Sequence, residues 1–165
     1  MQHREADVMM TPYMPQQEIA VIDLLLYLLK PRRVLEYGAG GSTVRWSPLV
    51  APGQWVTVEH DAKWFALVAR AARGAHVITG SATDARDYAV APGIRGEYDL
   101  IIVDGLFRVE CVQASPAFLA SGGVVLLHDA SREAYRPVWD VYPSLVHLTP
   151  GDGRANGLMA MWGAR

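Results

Sequence analysis

The chain has one cysteine, Cys111, in 165 residues, so no disulfide can form within it and a reducing compartment is the expected setting. A lone thiol also excludes the paired cysteine spacings of structural zinc sites. Lysine is scarce too. Only Lys30 and Lys63 stand among the 15 basic residues, a bias toward arginine that reads mainly as the coding preference of a GC-rich genome. An excess of one charge is missing: 15 basic residues face 17 acidic ones, so no basic face for a nucleic-acid partner is expected. Long hydrophobic runs are absent as well. The longest, Ile19 to Leu29, is broken by Asp23 and is too short to span a bilayer. The opening MQHREADVMM lacks the apolar centre of a signal peptide. These absences lead us to expect a soluble cytoplasmic protein with no membrane partner.

What is present is apolar material, 51% of the chain, enough for a substantial core at this length. One domain over residues 1–165 is expected. Short apolar runs alternate with helical patterns, which is how a parallel sheet wound with helices reads in sequence. A helix is expected from about Pro15 to Leu29, stopped by Pro31. It is apolar nearly all round and should lie in the core or in a subunit interface. Strands are expected at Arg33–Tyr37, Trp55–Glu59, His76–Thr79, Tyr98–Asp104 and Gly123–His128. Helices are expected near Thr43–Val50, Lys63–Ala72, Ala82–Tyr88, Arg108–Ala120 and Arg132–Tyr142. Two last strands, Ser144–Leu148 and Gly157–Trp162, are joined by the turn-rich TPGDGRANG, a hairpin signal. The fold class is therefore α/β: a doubly wound, mostly parallel seven-stranded sheet with helices on both faces.

The strongest local signal is Val34-Leu35-Glu36-Tyr37-Gly38-Ala39-Gly40-Gly41-Ser42-Thr43. A buried strand runs into a glycine turn and then into a helix that Ser42 or Thr43 can cap. Glycines let a backbone approach a ligand closely, and a helix start offers free N–H groups. The next strand ends at Glu59, followed by His60, where an acidic side chain can accept both hydroxyls of a ribose. A nicotinamide dinucleotide would use the same two features. Thr43, however, stands where a third glycine would complete that fingerprint. Glu36 is also expected at the mouth of the turn, unfavourable for a pyrophosphate and favourable for a cationic ligand.

On these residues the chain resembles the class I S-adenosylmethionine-dependent methyltransferases. Glu36-Tyr37-Gly38-Ala39-Gly40 matches their first motif, Glu59 the second, Thr79-Gly80-Ser81-Ala82 the third and Tyr98–Asp104 the fourth. Gly122-Gly123 leading into Val124–Leu127 matches the late motif. The resemblance covers about residues 30–165. It implies the strand order 3-2-1-4-5-7-6 with strand 7 antiparallel, and S-adenosylmethionine as cofactor. It assigns Glu36 and the turn of Gly38, Ala39 and Gly40, with Ser42 and Thr43, to the amino-acid part. Glu59 and His60 fall to the ribose, and Ser81 and Ala82 to the adenine. Ser81 replaces the usual Asp of the third motif, so backbone N–H groups or Asp84 are alternatives there. Trp64 is the aromatic expected beside the adenine.

Ligands of an open parallel sheet sit at the carboxyl ends of its strands. Asp104 ends one candidate strand and His128-Asp129 another, so these three are the catalytic candidates. His128 is the expected general base for a hydroxyl acceptor, with Asp129 or Asp104 orienting it. The bland alternative is a strand-ending His and a helix-capping Asp. The same triplet is similar to the metal-binding set of catechol-type O-methyltransferases. Asp104, His128 and Asp129 would be the ligands if a divalent metal were used, but no metal is called for. Asp104-Gly105-Leu106-Phe107 departs from the Asn/Asp-Pro-Pro-aromatic motif of base N-methyltransferases.

Arg108, Arg132, Arg136 and Arg154 are expected around one rim, either to meet an anionic acceptor or as a solvated rim paired with acids such as Glu110 and Glu133. Cys111 is expected to be a small buried helix residue. Residues 1–14 are read as a lid, a tail or a dimer contact. The expected activity is methyl transfer to oxygen of a small molecule, with a homodimer as an open expectation. The alternatives are a non-catalytic cofactor-binding or partner-dependent module, or an NAD(P)-binding oxidoreductase.

Overall fold

The computed structural model describes residues 11–152 and 156–163. Helix α1 (Gln16–Leu29) starts after Pro15 and ends at Lys30, whose left-handed φ of 45° turns the chain just before Pro31. The sheet is then built from β1 (Val34–Tyr37), β2 (Trp55–Glu59), β3 (Ala75–Thr79), β4 (Tyr98–Val103), β5 (Leu119–His128), β6 (Ser144–His147) and β7 (Leu158–Trp162). The order is β3-β2-β1-β4-β5-β7-β6. The pairs β3-β2, β2-β1, β1-β4 and β4-β5 are parallel, and β7 runs antiparallel between β5 and β6. This is the expected sheet.

The connecting helices are α2 (Gly41–Trp46), α3 (Ala62–Ala71), α4 (Ala85–Ala89) and α5 (Arg108–Ala114). Four of the expected helices are shorter than read from the pattern, and proline explains three. Pro48 sits in a 3-10 turn, Ser47–Leu49, that follows α2. Pro116 sits in a 3-10 turn, Ser115–Ala117, that ends α5, and β5 then starts at Leu119 rather than Gly123. The segment expected as a helix over 132–142 is a 3-10 turn, Glu133–Val138, with Pro137 inside it, which cannot donate a helical hydrogen bond. In place of the helix expected over 82–88, the Ser81 hydroxyl accepts from the N–H groups of Thr83 and Asp84, and α4 begins only at Ala85.

Successive side chains of a strand point to opposite faces, and the two cores follow that rule. Leu35, Tyr37, Ile101, Val103, Val125 and Leu127 share one core with Tyr88 and Cys111 from α4 and α5. Val34, Trp55, Leu100, Ile102 and Leu126 share the other with Ile19, Ile22 and Leu26 of α1. Glu36 and His128 have the parity of the second set, which turns both toward the α1 side of the sheet. Helix α1 buries only one face. Leu24, Tyr27 and Leu28 on its other face are 55%, 72% and 64% exposed. Among the described residues no helix is long and apolar enough to cross a membrane.

Candidate active site

Strand β1 has β2 on one side and β4 on the other, so the crossovers leave in opposite directions and a crevice opens beyond its carboxyl end. There the chain forms a cleft of about 790 Å³. Its lining includes the Gly38–Gly41 turn, Glu59, His60, Trp64 and Asp104. Gly38 has φ +93°, and a Cβ on it would stand 2.6 Å from the Gly105 Cα. The turn after β1 is therefore pressed against the loop after β4, and only glycine fits. Gly40 differs: its Cβ would meet nothing nearer than Trp64 Nε1 at 3.8 Å and would stand in the cleft. Thr11 passes so close over Gly41 that a Cβ there would strike its carbonyl, and Thr11 and Tyr13 line the cleft. Of the lid reading, this much falls on described residues; Met9 and Met10 lie outside them, as does Arg154.

Glu59 is 4% exposed, and its two oxygens differ. Oε1 accepts from the His60 and Asp61 N–H groups and lies 3.0 Å from His60 Nδ1. Among the described residues, Oε2 accepts from the Ala39 N–H alone, at 3.1 Å, which ties the glycine turn to the end of β2. Trp64 closes the same corner by donating its indole N–H to the Ala39 carbonyl at 2.6 Å.

Glu36 requires a correction. It does not stand at the mouth of the turn. It is fully buried on the α1 side of the sheet, where it accepts from Ser42 Oγ, Thr43 Oγ1 and Trp55 Nε1 at 2.5, 2.6 and 2.8 Å. Burial pushes its carboxyl up to about 7, against the pull of those donors. Glu36 thus clamps the start of α2 to the sheet, and the hydroxyl protons of Ser42 and Thr43 are spent on it. Strand alternation was the signal that could have shown this. Ser81 and Ala82 do not line the cleft, and Asp84 caps α4 through the Asp87 N–H.

The three catalytic candidates do come together, although only Asp104 lines the cleft. His128 is 5% exposed and lies behind Asp104, its Nδ1 2.7 Å from Asp104 Oδ1. Its Nε2 lies 2.8 Å from Glu18 Oε2, without the alignment of a hydrogen bond. Burial would lower the imidazole's affinity for a proton. The bond to Asp104, with the charges of Asp104, Asp129 and Glu18, outweighs it, and the pKa is raised above 6.5. The general base expected at His128 is therefore a buried imidazole held among carboxylates that favour its protonated form. Glu18 was missed in the sequence, because its partners lie more than a hundred residues away: it accepts from Thr149 Oγ1 and from the Gly157 N–H.

Asp129, at a left-handed φ of 56°, is 3.1 Å from Arg108 Nη1 and 2.6 Å from Arg132 Nη2, and accepts from the Asn156 N–H. Arg108 also reaches Asp104 Oδ1 at 3.1 Å, and Arg136 pairs with Glu133 at 3.1 Å. Among the described residues, the rim arginines Arg108, Arg132 and Arg136 are thus engaged with carboxylates, although Arg108 meets Asp104 and Asp129 rather than Glu110. Cys111 is buried, and burial pushes its thiol pKa up, as expected for an inert core residue.

The seven-stranded sheet that carries this cleft belongs to an architecture seen in other solved proteins. The chain has the fold of S-adenosylmethionine-dependent O-methyltransferases. It is similar to an O-methyltransferase from Bacillus cereus in complex with S-adenosylhomocysteine, with TM-score 0.73 and 17% identity over 95% of this chain and 86% of that one. The O-methyltransferase TomG from Streptomyces achromogenes, involved in tomaymycin synthesis and in complex with S-adenosylmethionine, gives TM-score 0.67 and 20% identity over 98% and 86%. A methyltransferase-like protein from Silicibacter pomeroyi gives 0.64 and 24% over 94% and 91%. No family model and no curated protein matches the chain. Within this methyltransferase fold, no group of three or more His, Cys, Asp or Glu side chains among the described residues is placed to hold a metal ion.

Proposed function

We propose that the chain is an S-adenosylmethionine-dependent methyltransferase that acts on oxygen of a small molecule in the cytoplasm. The observation that carries this reading is the pairing of two carboxylates across one cleft. Glu59 stands at the end of β2 and Asp104 at the end of β4, with the glycine turn between them. The residues present fit such a cofactor. Gly40 leaves room that a Cβ would fill, Glu59 Oε2 retains acceptor capacity for ribose hydroxyls, and Trp64 offers an aromatic wall. His60 adjoins the same corner. Bound there, the cofactor would supply an already activated methyl group, leaving position and proton transfer to the protein.

Asp104 is the group that serves the acceptor. Its Oδ1 is occupied by Arg108 and His128, and its Oδ2 takes part in neither contact. Oδ2 therefore accepts the proton of an acceptor hydroxyl, and the adjacent cations steady the carboxylate. His128 does not reach the cleft and acts through Asp104, as a positioning residue. Lys63 is the only Lys or Arg among the described residues lining the cleft, so an anionic acceptor would have to meet that side chain. In a homodimer, the uncharged Leu24, Tyr27 and Leu28 stripe of α1 would form the seam, which light scattering would test.

Calorimetric titration with S-adenosylmethionine, S-adenosylhomocysteine and NAD(P)H tests the reading. Binding of the two adenosyl ligands alone is expected. Binding of NAD(P)H instead would replace the reading with an oxidoreductase, and tight cofactor binding with no methylated product from any acceptor pool would leave a binding module.

A further inference from the structure

We infer that Arg108 is the resident cation of this site, seated between Asp104 and Asp129 where a divalent metal ion would otherwise bridge the two carboxylates. The ends of the adjacent strands β4 and β5 bring these acids together, a pairing that needs a positive charge between its members. Arg108 supplies it from four positions beyond Asp104. Phe107, at a left-handed φ of 49°, starts α5 so that the side chain of Arg108 folds back over the strand ends. The guanidinium reaches Asp104 through Nη2 and Asp129 through Nη1, both at 3.1 Å. Its Nε donates to the Gly105 carbonyl at 3.0 Å, and Nη1 also donates to the His128 carbonyl at 2.8 Å. The ring of Tyr135 lies 5.8 Å from it. A rigid fork held by two backbone carbonyls does not leave its place easily.

The donor set confirms that the position is taken. Asp104 Oδ1 already meets Arg108 and His128, and Asp129 Oδ2 meets Arg108 and Arg132. Asp129 Oδ1 accepts from the Asn156 N–H, and both His128 nitrogens face carboxylates. The lone pairs that a metal needs therefore do not converge. Charge points the same way. The guanidiniums of Arg108 and Arg132 already stand against Asp104 and Asp129, the two acids that an added dication would have to bridge. The assignment of the cation stands on this geometry. Its consequence, that methyl transfer here needs no metal, rests on the function proposed above.

The test is a titration of tag-free protein with Mn²⁺, followed by the loss of the free-ion paramagnetic resonance signal. The wild type should leave that signal unchanged. Arg108→Gln, shown to be folded by circular dichroism, should bind one Mn²⁺ at least about tenfold more tightly than the wild type, and Arg108→Gln with Asp104→Asn should lose that gain. Stoichiometric Mn²⁺ binding by the wild type that disappears in Asp104→Asn overturns the inference, and this arm decides the matter even if Arg108→Gln does not fold. A folded Arg108→Gln that binds no better than the wild type also overturns it. None of these readouts involves methyl transfer, so a protein that binds no adenosyl ligand would fail the functional reading while leaving this one decided separately.

Discussion

Glu18 Oε2 and His128 Nε2 lie 2.8 Å apart, joining the first helix to the end of β5 beneath the cleft. Glu18 also receives the Gly157 N–H and the Thr149 hydroxyl, so one carboxylate fastens α1, the β5 terminus and the β6-β7 turn. Replacing it by Gln removes the charge and leaves the His128 ring short of a partner. Glu18→Gln should cost roughly 3–5 kcal/mol of unfolding free energy in urea titrations, the usual result of breaking a buried ion pair from one side. A loss below about 1 kcal/mol, typical of exposed pairs, would show that the pair is solvated in solution.

His128 makes stability depend on pH in a defined direction. Its pKa is raised in the folded protein, so its contribution is fully present below 6.5, the unfolded value, and is lost as pH rises through the higher folded value. The difference in stability between wild type and His128→Gln should shrink as pH is raised from 6.5 into the alkaline range. A difference independent of pH would mean that the imidazole is neutral throughout.

Glu36 adds a second pH effect at lower values. Its folded pKa of about 7 lies above the ordinary 4.5, so its contribution is complete below 4.5 and declines as pH rises toward 7. Glu36→Gln should give a flatter stability profile across that interval, read by urea unfolding at several pH values. An unchanged slope would show that the Ser42, Thr43 and Trp55 donors already keep the carboxylate ionised well below 7.

Glu59 offers the direct check of the cofactor corner. Glu59→Gln should weaken S-adenosylhomocysteine binding by about 1–3 kcal/mol in calorimetry, the cost of exchanging charge-assisted hydrogen bonds for neutral ones. Wild-type affinity in this variant would remove the ribose assignment.

Two glycines separate strain from crowding. Gly53 has φ +78° with nothing within 4 Å of a built Cβ, while Gly38 has φ +93° with the Gly105 Cα at 2.6 Å. Gly53→Ala should cost roughly 1–2 kcal/mol, from backbone strain alone. Gly38→Ala should cost about 2–4 kcal/mol, because overpacking adds to the strain. Equal losses would mean that the two loops are not pressed together.

Much of the molecule is determined by the amino-acid sequence alone. The apolar runs Val34–Tyr37, Trp55–Glu59 and Tyr98–Val103 declare buried parallel strands, because both of their faces must be covered. The glycine turn, Glu59 and Asp104 could be placed at one edge because parallel strands end together. Local patterns are short-range, and these features are short-range too.

What the sequence did not decide is which way the polar groups at that edge face and what they meet. Glu36 looked like a ligand-binding acid and is a buried clamp on Ser42 and Thr43. His128 looked like a base open to substrate and is a buried imidazole between Asp104 and Glu18. Arg108 looked like a rim charge and bridges two carboxylates. Each outcome depends on partners brought together by the sheet order, from helix α1 at one end of the chain and the β6-β7 turn at the other. A buried charge takes its role from the charges packed around it, and only the tertiary structure decides that company.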